Sequence, residues 1–204
     1  MNTLNQPRLV VSSILIDPSI SSYMVRLMRE RPEVYRHSLN VAYLVAEVCC
    51  TTLRDDLNIK FSFSDKLVIE VIKGALLHDI GKLAVPKRVL NKVEKLDEKE
   101  IKKIMEHPAE GYRMLTEDKE HHYSKTVLDI VKHHHEKLDG VGYPDHLKTI
   151  SPPTQLVAFC DMYDALTETR AYRSKKSVYS AYKIISGEKL DMDFFLLLAS
   201  CFDR

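Results

Sequence analysis

Apolar residues recur at spacings of three and four from Ser22 to about Arg54, where Val34, Val41, Leu44, Val45 and Val48 form one stripe of a long helix. Pro32 either breaks this helix near its start or occupies a first-turn position. Ser64-Asp65 reads as the start of a second helix running to His78, with Leu67, Val71, Ala75 and Leu76 facing inward and Gly81 and Pro86 marking the exit. Asp97 caps a third helix to about Met105, and Pro108 opens a fourth through about Leu115. A fifth covers residues 123 to 136 and buries Val127, Ile130 and Val131. Two glycines and a proline in Asp139–Pro144 forbid a regular element there. Pro152-Pro153 introduces a sixth helix to about Glu168, and two more fall at 176–186 and 191–201. The apolar patch Leu9–Ile16, interrupted by Ser12-Ser13 and closed by Asp17-Pro18, reads as a short strand or packing arm rather than a secretory signal. The expectation is an all-α fold, with residues 1–30 as a short N-terminal arm and 31–204 as a helical bundle of about seven or eight helices.

Composition narrows this picture. Glycine is scarce, with six in 204 residues, as expected of helices. A hydrophobic content of 45% excludes a disordered chain, and no apolar run approaches the ~18 residues of a membrane span. Thirty basic against 29 acidic residues leave a net charge of +1, which gives no pull toward a DNA or RNA duplex or an anionic membrane. Cys49, Cys50, Cys160 and Cys201 form no C-x-x-C pair and read as reduced thiols of a cytoplasmic protein, which excludes zinc-finger chemistry.

The candidate chemistry lies in the nine histidines. His37, His78, His107, His134 and His135 lie on or beside apolar helical faces, as do Asp79 and Asp161. A buried carboxylate costs several kcal/mol unless a cation or hydrogen bonds compensate it, so buried His and Asp together point to metal. Adjacent helical residues diverge by about 100°, so the pairs His78-Asp79 and His134-His135 flank one ion or serve two side by side. A carboxylate between cations about 3.5–4 Å apart is the usual bridge of a two-metal hydrolase. Imidazole and carboxylate without thiolate suit iron, manganese, zinc, nickel or cobalt better than calcium or magnesium. His121, His122, His133 and His146 read as solvated surface residues.

His78-Asp79-Ile80-Gly81-Lys82 and His134-His135-Glu136-Lys137-Leu138-Asp139-Gly140-Val141-Gly142-Tyr143-Pro144 resemble the two signature motifs of the HD-GYP phosphodiesterases, a branch of the HD phosphohydrolases. His107-Pro108 with Gly111 is similar to the family's intermediate segment, and Asp161-Met-Tyr-Asp164-Ala-Leu166 through Arg170 and Arg173 to its closing one. The resemblance implies an HD-domain-type bundle with a Gly-Tyr-Pro loop, in which two or three divalent metals supply the hydroxide that hydrolyses cyclic di-GMP to linear pGpG and on to GMP. The implied ligands are His37, His78, Asp79 (the bridge), His107, His134, His135 and Asp161. Glu33, four residues before His37, is a further candidate for a third metal. The resemblance assigns Lys82 to the scissile phosphate, Arg170 and Arg173 to the ligand's phosphates, and Gly142 and Tyr143 to the nucleotide. Glu136, Asp139 and Asp164 would orient imidazoles or hold the loop. Gln155 and Ala171 depart from the family's commoner arginine and proline. Two other readings are open: a module that binds a protein partner through the Gly-Tyr-Pro loop, and a phosphohydrolase of another nucleotide such as cyclic GMP-AMP. Only residues 1–30 precede the bundle, which suits a free-standing enzyme or a piece of a longer chain.

Overall fold

A computed structural model describes residues 6–54, 64–167 and 177–188. In chain order the helices are α1 (Pro7–Leu15), α2 (Pro18–Glu30), α3 (Pro32–Arg54), α4 (Asp65–Leu77), α5 (Lys87–Leu90), α6 (Glu98–Met105), α7 (His107–Thr116), α8 (Lys125–His133), α9 (Pro152–Thr167) and α10 (Val178–Ile185). A 3-10 turn, Ile80–Leu83, follows α4, and no strand occurs among the described residues. The expected helix at 191–201 lies outside them, as do Arg170, Ala171 and Arg173.

The N-terminal patch is helix α1, not a strand. Val10, Val11 and Ile14 are buried at helical spacing, and the Ser13 hydroxyl donates to the Val10 carbonyl (2.7 Å), so the serines do not interrupt it. Nor do residues 7–30 form a separate arm: Val10, Val11, Ile20, Met24 and Leu27 belong to the same apolar core as α3 and α4. The long helix expected from Ser22 is split. Arg31 (φ −144°, ψ 63°) leaves the helical region because the following proline ring crowds it, and Pro32 then opens α3.

Arg31 itself is 8% exposed. Its guanidinium donates to the carbonyls of Glu30 (3.0 Å), Leu83 (3.4 Å) and Val85 (2.8 Å), which straps the start of α3 to the exit of the 3-10 turn.

Side chains cap three further helices, at Ser64 and Asp97 as expected and at Ser124 in addition. Ser64 caps α4, Ser124 caps α8, and Asp97 forms a capping box with Glu100 on α6. The fifth helix is shorter than 123–136, because it ends at His133 and leaves His134 in the cap position. Helix α4 packs against both α3 and α8, and α9 lies against α3, α4 and α8. Helix α9 is buried nearly all round, from Pro153 to Asp161 without a break, which makes it the bundle's central helix. It thereby carries Asp161 and Asp164 into the interior.

Candidate metal centre

His78 and His134 stand in the C-cap positions of α4 and α8, and His107 stands at the junction where α6 ends and α7 begins. A helix C-terminus leaves its last carbonyls without intrahelical donors and is the negative end of the helix dipole, a favourable setting for cations. His78 Nδ1 donates to the Ala75 carbonyl (2.8 Å), His107 Nδ1 to that of Ile104 (2.7 Å), and His134 Nδ1 to those of Val131 (3.1 Å) and Ile130 (3.2 Å). These bonds fix the tautomer, so each Nε2 is a bare lone pair facing the interior.

The three bare nitrogens face Asp79, which is 1% exposed. Its Oδ1 lies 3.2 Å from His107 Nε2 and 4.0 Å from His134 Nε2, and its Oδ2 lies 3.5 Å from His78 Nε2 and 3.8 Å from His37 Nε2. None of the three carbonyl-bound imidazoles has an Nε2 proton to give. Asp79 Oδ1 and His78 Nε2 are accordingly buried without a hydrogen-bond partner. His107 Nε2 and His134 Nε2 also face each other at 3.2 Å, acceptor against acceptor. A cation relieves all of these contacts at once, and orphaned buried acceptors are otherwise costly. The donor groups fall into two lobes around the carboxylate. His37, His78 and Asp79 offer ligand atoms within 4.8 Å of one another, as do His107, His134 and His135. Asp161 joins His78 and His134 in a third such group, between the lobes. The residues therefore fit divalent metal, with Asp79 facing both lobes.

His37 differs from the other imidazoles. Its Nδ1 faces Asp164 (2.5 Å) and its Nε2 faces Asp161 (2.8 Å). Burial pulls its pKa down, but the two carboxylates overcome this and push it up to about 9. His135 is pushed down to about 3 by burial, and His134 is held well below its ordinary value by burial and by neighbouring imidazoles. Burial opposes ionisation of Asp79, but the charge of Lys82 beside it holds its carboxyl well below the usual range. Lys82 Nζ donates to Asp79 Oδ2 at 2.5 Å.

The Gly-Tyr-Pro loop is fastened beside the second lobe. The Tyr143 ring stacks on His135 (centroids 4.8 Å apart, planes 28° apart), and its N–H donates to the His135 carbonyl. Gly142 allows this approach, since a Cβ there would lie 2.4 Å from Glu136 Cα and from Lys137 N. Gly81 does the same for the first motif: a Cβ would lie 1.9 Å from the His107 carbonyl oxygen. The Glu136 carboxylate, 2% exposed, accepts the N–H groups of Asp145 (2.6 Å) and Leu147 (3.0 Å). Asp145 in turn binds Lys132 (2.6 Å) and His133 (3.0 Å), so His133 is a loop fastener rather than a solvated residue. A cleft of about 330 Å³ lies in front, lined by His134, His135, Tyr143, Met162, Lys137 and Glu188 among others.

The structure thus brings together His37, His78, Asp79, His107, His134, His135, Asp161 and Lys82. Asp164 orients His37, and Glu136 holds the loop without touching an imidazole. Asp139 does neither, and only accepts the Val141 N–H (3.0 Å) to shape the turn. Glu33 is not brought to the cluster: its side chain is 68% exposed and lies 3.7 Å from Arg36 at the start of α3. Gln155 donates to the Ile150 carbonyl (3.0 Å) at the root of α9, away from the ligand atoms. Sequence reasoning missed Asp145 and the four carbonyl partners of the histidines. The latter had a signal, because a histidine at a helix end stands beside carbonyls that need a donor. Glu136→Gln puts an amide NH₂ where one of the two carboxylate oxygens accepted, against a backbone N–H that is also a donor. The second lobe should lose metal affinity by about tenfold, read by metal titration, while the fold persists.

The profile of the family described as HD domain matches residues 29–194, most of the chain and all of the cluster. The chain belongs to the HD-domain family. Among its relatives, it is 37% identical over 166 residues to Cyclic di-GMP phosphodiesterase PA4108 of Pseudomonas aeruginosa, covering 80% of this chain and 37% of that protein. It is 30% identical over 185 residues to 3′3′-cGAMP-specific phosphodiesterase 1 of Vibrio cholerae, covering 87% of this chain and 40% of that one. This HD-domain chain therefore spans well under half the length of these relatives. Among solved structures it is similar to Bd1817, a HDG"Y"P protein from Bdellovibrio bacteriovorus, with a TM-score of 0.64 and 18% identity over 98% of this chain and 71% of that one. At that identity the likeness speaks for the fold, a helical HD-GYP bundle.

Proposed function

We propose that this chain is a metal-dependent phosphodiesterase that hydrolyses cyclic di-GMP to linear pGpG and on to GMP. The observation that carries the reading is Asp79, whose two oxygens face separate lobes of bare imidazole nitrogens. The first ion would be held by His37, His78, Asp79 and Asp161, and the second by Asp79, His107, His134 and His135. Iron or manganese suits this set best. Bound there, such ions supply hydroxide at neutral pH and positive charge for the phosphoryl oxygens.

The chain's own residues do the rest. Asp164 fixes the His37 ring by holding its Nδ1, and backbone carbonyls hold His78, His107 and His134 with Nε2 inward. Lys82, beside Asp79, adds a cation for a phosphate oxygen, and Arg170 and Arg173 would grip the phosphates with planar guanidinium groups. Tyr143, stacked on His135, shapes the cleft for the nucleotide. The relatives named for cyclic di-GMP support this substrate, and the one named for cyclic GMP-AMP favours a second reading in which that dinucleotide is preferred. Val141, 75% exposed at the loop tip, would suit contact with a protein partner. No helix among the described residues is long and apolar enough to cross a membrane, and the cytoplasm is the compartment that suits this activity.

Purified, metal-loaded protein is expected to cleave cyclic di-GMP, and the ratio of kcat/KM for the two cyclic dinucleotides decides the substrate. Full metal occupancy without turnover of either, under reducing conditions, overturns the proposal.

A further inference from the structure

At the mouth of the cleft, Lys137 Nζ and Glu188 Oε2 form an ion pair at 2.5 Å, with side-chain exposures of 40% and 27%. Lys137 lies two residues beyond His135, and Glu188 lies just past α10, which Ala181 and Ile185 anchor in the core. Both side chains line the same cleft as His134, His135 and Tyr143. An ion pair this exposed contributes only about 0–1 kcal/mol, so a competing anion can displace the carboxylate from the lysine. The cleft mouth therefore holds one cation for a phosphate and one anion that opposes it.

We propose that Lys137 is a phosphate contact and that Glu188 is a specificity-determining residue which disfavours the linear product relative to the cyclic substrate. The inference rests on the phosphodiesterase reading. Hydrolysis adds water across one phosphodiester: the oxygen bonds to phosphorus, the P–O3′ bond breaks, and the 3′ oxygen leaves with a proton. The product bears a terminal phosphomonoester whose second ionisation lies near pH 6, so at neutral pH it carries about one more negative charge than the substrate. A phosphate on Lys137 leaves the Glu188 carboxylate beside it without its partner. That repulsion grows with the charge of the ligand and falls hardest on the product.

The test reads initial rates of cyclic di-GMP turnover by the metal-loaded chain with and without added pGpG, which give the KM of the substrate and the inhibition constant of the product. Glu188→Gln should tighten pGpG binding by about fivefold and change the KM for cyclic di-GMP by less than twofold, so that product inhibition deepens. Lys137→Gln should weaken both ligands, and the double variant should resemble it. If Glu188→Gln lowers the melting temperature but leaves the ratio of the two affinities unchanged, the pair is a structural tie and the inference fails alone. If the unaltered protein turns over no cyclic di-GMP, the phosphodiesterase reading fails and takes the inference with it.

Discussion

Asp79→Asn should reduce cyclic di-GMP hydrolysis by about a thousandfold or more and leave at most one metal per chain, with the helical content unchanged. The side chain keeps its size, so the core around it is not opened. What changes is charge and acceptor geometry. Asp79 faces both lobes, with Oδ1 toward His107 and His134 and Oδ2 toward His78 and His37. An amide offers one oxygen, so only one lobe keeps an oxygen donor, and neither gains a negative charge to offset its ion. The amide NH₂ can also donate to a bare Nε2, which would satisfy an imidazole that otherwise needs a metal. Elemental analysis of the purified variant, circular dichroism and a turnover assay read the three outcomes separately. Retention of two ions with normal turnover would show that Asp79 is not the bridge.

Stripping the metals with a chelator should lower the melting temperature by about 8–16 °C at neutral pH. Ligand at about 1,000 times its Kd contributes about 4 kcal/mol, and a chain of this size shifts about 2–4 °C per kcal/mol. The stripped protein should also depend on pH in two opposite ways. His135, at about 3 when folded against 6.5 unfolded, stays neutral in the bundle, and His134 behaves alike. The unfolded chain then binds more protons, so this stability is present above pH 6.5 and is lost as pH falls below it. His37 has the other sign. At about 9 folded against 6.5 unfolded, its contribution is complete below pH 6.5 and is lost as pH rises through 9. The stripped chain is expected to be most stable around pH 6.5, and thermal melts across the range show it. Reloading tests the same assignment. His37 must give up its Nε2 proton to bind an ion, so loading near neutral pH should release about one proton, read by calorimetry in two buffers of different ionisation enthalpy. No proton release at pH 7 would contradict the elevated His37 pKa.

Residues that announce themselves locally were legible along the chain. Ser64 and Asp97 cap the helices expected of them, Pro32 and Pro108 sit in first turns, and the two motifs deliver His78, Lys82, His134 and His135 around Asp79. Each is a matter of a few neighbouring positions. The segment Pro7–Leu15 was not legible as a helix, because short apolar runs broken by serine suit strand and helix alike until tertiary packing selects one. Glu33 was misleading for a related reason: a separation of four residues puts it on the His37 face, but one turn further toward the helix start, where the chain reaches solvent.

The chain alone therefore determined an all-α bundle and the kinds of ligand it offers, since caps, periodicity and motif chemistry are properties of adjacent residues. Tertiary structure decided how those ligands act. The ends of α4 and α8 and the junction of α6 with α7 bring three histidines together, backbone carbonyls take their Nδ1 protons, and the bare nitrogens turn onto a single buried carboxylate. Which nitrogen holds a proton and which oxygen faces which lobe depend on groups brought together only by packing α4, α6, α8 and α9. No spacing along the chain encodes that convergence.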